Sequence, residues 1–148
     1  MSVIRTVLGD IAASEAGVTY AHEHLILDSA LIEAGYPHIL LNDVDAAVAE
    51  VDAARSAGVA TMVDAMPCAS GRDVVRLARI SERTGVNIVV ATGLHHPRYY
   101  GPTHWTGIVS AEELAELFIG DVEDGVDAFD YTCPYVRRTP HRAGVIKV

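Results

Sequence analysis

Val18-Thr19-Tyr20-Ala21-His22-Glu23-His24-Leu25 is the stretch on which the reading of this chain turns. Residues 20–25 predict a strand, and side chains two apart on a strand point to the same side. His22 and His24 therefore converge. Two such imidazoles are either polar groups at a strand end or, through neutral ring nitrogens, a pair able to hold one divalent metal. The neighbouring elements decide between these readings.

Upstream, Thr6–Ile11 and then Gly17–Thr19 predict a short β-hairpin. Downstream, a long loop from Asp28 holds Gly35, Tyr36 and Pro37. Asn42 reads as the N-cap of a helix running to about Ala57, with Gly58 as its stop. Val44, Ala47, Val48 and Val51 form its buried stripe. A strand at 59–64 follows, then a helix opened by the capping box Ser70-Gly71-Arg72-Asp73 and closed at Thr84-Gly85. Residues 87–92 form a third strand rich in β-branched side chains. Ser110 to Glu113 is a second capping box, starting a helix with Leu114, Leu117, Phe118 and Val122 on one face. An irregular stretch, 127–142, leads to a last strand at 144–148.

Strands alternating with helices, the strands nearly continuous in apolar residues, predict an α/β fold with parallel pairing and helix-covered faces. Residues 1–148 read as a single domain without an internal boundary. Half the residues are hydrophobic, enough for a core, and the formal charge of −9 excludes the basic stripe that a nucleic-acid surface needs. No apolar run approaches a membrane span, and no leader pattern opens the chain. Cys68 and Cys133 are far apart and read as reduced thiols. A cytoplasmic enzyme is the expectation, with assembly as a homodimer left open. The last strand reaches Val148 with no helix to cover it. Four parallel strands with three helices can make a small open sheet, and the choice between that and part of a closed barrel falls to the residues that carry chemistry.

The chemistry-bearing residues carry a resemblance. The His22-Glu23-His24 stretch followed by Asp28 resembles the first-strand signature of the amidohydrolase superfamily. Thr61-Met62-Val63-Asp64, Gly71-Arg72-Asp73-Val74, Ile88-Val89-Val90-Ala91-Thr92-Gly93-Leu94 and Arg142-Ala143-Gly144-Val145-Ile146-Lys147-Val148 resemble, in order, its phosphotriesterase family and the phosphotriesterase-related proteins. The resemblance implies the N-terminal half of a (β/α)8 TIM barrel, strands one to four with their helices, preceded by the hairpin. It implies a metal-dependent hydrolase with two divalent metal ions, expected to be zinc. His22 and His24 would be ligands, and Lys147, carboxylated by carbon dioxide, would bridge the ions. A hydroxide between the metals would attack a phosphoester, lactone or carboxyl ester. The family's remaining ligands lie on strands five, six and eight, beyond this chain.

Physical chemistry supports the lysine's part: an ammonium cannot sit beside two dications, whereas a carbamate offers anionic oxygens. Without the other motifs, Lys147 would read as a strand-end lysine reaching solvent. Asp64 ends the second barrel strand at the same mouth, where a carboxylate accepting loop amides is the favoured reading. Arg72 is expected to bridge loops. The loop Leu94–Trp105 gathers His95, His96, His104, Tyr99, Tyr100 and Trp105. Of these, His95, Tyr99, Tyr100 and Trp105 are candidate walls of a substrate pocket.

Two competing readings remain. One is a barrel that keeps the metals but serves as a ligand-binding, non-catalytic protein. The other is a complete flavodoxin-like open sheet, against which stands the lack of any phosphate-cradling glycine pattern at a strand end.

Overall fold

A computed structural model describes residues 2–148. A β-hairpin pairs β1 (Val3–Thr6) with β2 (Gly9–Ala12). Four parallel strands then form one sheet in chain order: β3 (Val18–Glu23), β4 (Val59–Asp64), β5 (Asn87–Gly93) and β6 (Val145–Lys147). Helices α2 (Val44–Ser56), α3 (Val74–Thr84) and α4 (Ala111–Glu123) are the crossovers. Sequential parallel order is that of a barrel being wound, not of an open doubly-wound sheet, whose order reverses at a switch point. The fold is α/β, the N-terminal half of a TIM barrel.

The main core lies between the sheet's outer face and the helices: Val51, Leu77, Ile80, Ile88 and Val90 are each fully buried. Each such side chain contributes roughly 1.5–3 kcal/mol by leaving water. The stripe read from α2 holds, with Ala47, Val48 and Val51 buried and Val44 half-buried against them.

The local differences from the sequence reading have physical reasons. The hairpin turns at Val7-Leu8, and Val18-Thr19 belong to β3, not to the hairpin. Val7 is buried because its N–H donates to Ile88 O at 2.7 Å, seating the hairpin tip beneath the start of β5. The cap of α2 is Asp43 and not Asn42: its carboxylate accepts from the amides of Asp45 (2.8 Å) and Ala46 (3.1 Å). An ionised oxygen also complements the positive end of the helix. Asp73 is itself the N-cap of α3, accepting from Arg76 N at 2.9 Å, while the Ser70 hydroxyl donates to Pro67 O. Ser110 and Glu113 do form the expected reciprocal box. The long loop after β3 contains a short helix, α1 (Ala30–Gly35), capped by Ser29.

The irregular stretch 127–142 is held by two aspartates. Asp127 accepts from the amides of Phe129, Tyr131 and Arg137. Asp130 is clasped by Arg72, which also reaches Asp121 on α4 and the carbonyl of Ala91 on β5. Arg72 Nη2 lies 3.1 Å from Asp130 Oδ1 but makes no hydrogen bond, so it adds charge attraction only. The bridging role expected of Arg72 is what the structure shows, in a fully buried setting.

Candidate metal centre and substrate pocket

Strand β3 ends at Glu23, where Ala65 N–H donates to Glu23 O and ties the ends of β3 and β4 together. His24 lies one residue past the strand. Its ring and that of His22 are 5.1 Å apart and perpendicular, so the alternation read from sequence brings them together. Burial first, and then the nearby positive charges of Lys147, His22 and His95, push the His24 imidazole down to about 4. His24 is therefore neutral near pH 7, the state a metal ligand requires. Its Nδ1 is buried and has no hydrogen-bond partner among the described residues. A buried nitrogen left so is costly unless something occupies it.

Lys147 comes from β6, two strands away from β4. Its Nζ donates to Ala65 O at 3.0 Å, a carbonyl just past the end of β4, so the side chain reaches across β5 at the mouth. Burial depresses its pKa, while the carboxylate of Asp64 opposes the shift. Gly93 makes room for this lysine's backbone. At φ 101 a side chain there would be strained, and a Cβ would collide with the Lys147 carbonyl. No group of three or more His, Cys, Asp or Glu side chains that could hold a metal occurs among the described residues. Two histidines and a lysine stand at this mouth. The imidazoles could ligate a cation as they are, whereas the lysine could do so only as a neutral amine or with an anionic end.

Asp64 is fully buried and accepts from Leu25 N (2.8 Å) and Met66 N (3.1 Å). Burial raises it to about 6, and those amide bonds with the attraction of Arg72 hold it from rising further. It is the loop-organising carboxylate that the sequence suggested, fixing the turn that leads from β3.

Beside His24 lies a cavity of about 440 Å³. One wall is apolar, built by Leu27, Leu31, Ile32, Ile39, Leu41 and Met66 from the long loop and the end of β4. The other carries His95 and Tyr99, whose rings are 4.1 Å apart. The apolar wall was not singled out from sequence. Its signal was the run of aliphatic residues through a loop, which loops seldom carry without a reason. Tyr100 and Trp105 lie elsewhere. Tyr100 is 7% exposed and bonds to Cys68 O, and Trp105 packs against His104 and Tyr131. The placement separates the four candidate walls: His95 and Tyr99 line this cavity, whereas Tyr100 is buried beside it and Trp105 lines a separate hollow with Leu114, Leu117 and Tyr131. Among the described residues, no helix is long and apolar enough to cross a membrane.

Known proteins resemble this chain in sequence and in fold. A phospho-furanose lactonase of Mycoplasmopsis agalactiae is 36% identical over 147 residues, covering 97% of this chain and 42% of that protein. An aryldialkylphosphatase of Saccharolobus solfataricus is 30% identical over 139 residues, 93% of this chain and 44% of that protein. The solved structure of an amidohydrolase from Mycoplasma synoviae superposes with a TM-score of 0.92 at 31% identity, covering 97% of this chain and 42% of that one. The chain thus spans less than half the length of these relatives. The sequence pattern of the phosphotriesterase family matches residues 2–140, and the chain belongs to that family.

Proposed function

We propose that this chain supplies part of the metal site and one wall of the substrate pocket of a hydrolase that cleaves a lactone, carboxyl ester or phosphoester. His22 and His24 would hold one divalent ion, and a carboxylated Lys147 would supply anionic oxygens to it and to a second. Zinc, the ion the family resemblance implies, is compatible with such nitrogen and oxygen donors. The observation that carries the reading is the meeting of His22, His24 and Lys147 at one mouth, with His24 Nδ1 buried and unpaired. Bound there, two such ions would acidify a water and polarise the bond to be cleaved.

The chain's own residues prepare that state. Burial lowers the lysine's pKa and so increases the fraction of neutral amine. A neutral amine adds to carbon dioxide, forming a C–N bond and releasing one proton, which leaves a carbamate. His24, already neutral, has no proton to lose on binding a cation. The apolar wall fits the uncharged part of a substrate, and His95 with Tyr99 supplies polar contacts. The names lactonase and aryldialkylphosphatase among the relatives support the lactone and phosphoester classes.

Metal analysis of the whole protein, with turnover on a panel of lactones, carboxyl esters and phosphotriesters, tests this. About two divalent ions per protein and activity on at least one ester class are expected. A protein that holds the metals but turns over none of these esters would leave the ligand-binding barrel in its place. A metal-free protein would overturn the metal site itself.

A further inference from the structure

Tyr100 sits behind the pocket wall with its hydroxyl fully committed. The His95 N–H donates to Tyr100 Oη at 2.8 Å, and the Tyr100 hydroxyl donates to Cys68 O at 2.8 Å. A backbone amide can only donate and a carbonyl only accept, so the direction of both bonds is set. Burial pushes the phenol up to about 12, which keeps its proton in place.

Cys68 belongs to a turn that is itself pinned. The Asp130 carboxylate accepts from the amides of Ala69 (2.9 Å), Gly71 (3.2 Å) and Arg72 (3.2 Å). Ala69 is held at φ 56, a left-handed conformation that alanine seldom adopts without such support. A continuous run of bonds therefore links Asp130, through the turn and Tyr100, to the backbone of His95. The imidazole of His95 is fixed next. Its Nδ1 accepts from His96 N–H at 2.8 Å, so the neutral ring carries its hydrogen on Nε2.

We propose that Tyr100, backed by Asp130, is a positioning residue that holds His95 as an Nε2–H donor toward an oxygen of the bound ester. The idea rests on the hydrolase reading above, because only a substrate gives that donor a task. It also explains why two adjacent tyrosines differ: Tyr99 lines the cavity with His95, while Tyr100 braces it from behind.

The test uses the whole protein labelled with 15N-histidine. Wild type is expected to show one His95 tautomer, protonated at Nε2. Tyr100→Phe keeps the ring that stacks on His104 but removes the hydroxyl. It should mix the His95 tautomers, speed exchange of the His95 amide about tenfold and lower kcat/KM about tenfold. Tm should fall by a few degrees, since the His95 amide and the Cys68 carbonyl both lose a partner. Asp130→Asn, which touches no atom of His95, should move the same His95 signals and supplies the readout should the first variant not fold. His95→Gln, which keeps a donor, should retain more activity than His95→Ala. Unaltered His95 signals in both Tyr100→Phe and Asp130→Asn, in a protein that does hydrolyse esters, overturn the positioning role alone. Shifted His95 signals in a protein that hydrolyses nothing overturn the hydrolase reading, and with it the substrate half of this proposal.

Discussion

Lys147 and Asp64 stand within one mouth yet have opposite relations to their protons. For Lys147, burial favours the neutral amine, the form that carbon dioxide can capture. Lys147→Ala is therefore expected to lower metal content and abolish hydrolysis, with partial recovery when a short carboxylic acid is added to the buffer. Retained metal in that variant, by elemental analysis, would count against the bridge. Asp64 is raised from 3.8 to about 6, so the folded chain binds that proton more tightly than the unfolded chain does. Stability from this group is present below the unfolded pKa and is lost as pH rises through about 6. Relative to Asp64→Asn, the wild type should gain about 2 kcal/mol as pH falls from about 7 to about 4. Denaturant melts of both proteins across that range check the sign.

Arg72 sets the behaviour of whole elements, since one guanidinium ties α4, β5 and the 127–142 stretch together. Both of its carboxylate partners are buried, Asp121 at 0% and Asp130 at 6% exposure. Replacing the pair by apolar residues could be nearly neutral, but removing one side strands a buried charge. Arg72→Met is expected to cost about 3–5 kcal/mol in chemical denaturation. The loss should appear first as faster amide exchange in residues 127–142, because Asp130 then has no cation to hold it in place. Uniform loss of protection over all strands would instead mark Arg72 as a general core residue.

The whole sheet has two outer strands, β3 and β6, with no further strand paired to them among the described residues. Val18 is 59% exposed on one and Ile146 56% on the other, and Tyr20 is 44% exposed. Long unpaired edges with apolar side chains invite association. Expressed by itself, the 148-residue chain is expected to bind an apolar dye, to self-associate, and to retain less metal than the whole protein after dialysis. Two histidines and a lysine offer too few donors for tight binding. A monomer that excludes the dye would show that these surfaces are covered in some other way.

Much of this was legible in the residues themselves. The order of strands and helices followed from hydrophobic periodicity and from glycine and capping residues, which act over a few positions. The convergence of His22 and His24 followed from the pleat of a strand. Other features depended on contacts between distant segments. Nothing local distinguishes Tyr99 from Tyr100, and only Cys68, 32 residues away, draws the second hydroxyl inward. Asp130 shows no sign in its own neighbourhood of holding a turn 58 to 61 residues earlier. The hairpin partner was misplaced because β-pairing register is set by the turn and by what the strands pack against, here Ile88 beneath Val7. Periodicity is a property of neighbouring residues and survives in one dimension. Which carboxylate finds which buried cation is settled only when the helices close over the sheet and exclude water, leaving each polar group to pair with whatever stands within reach.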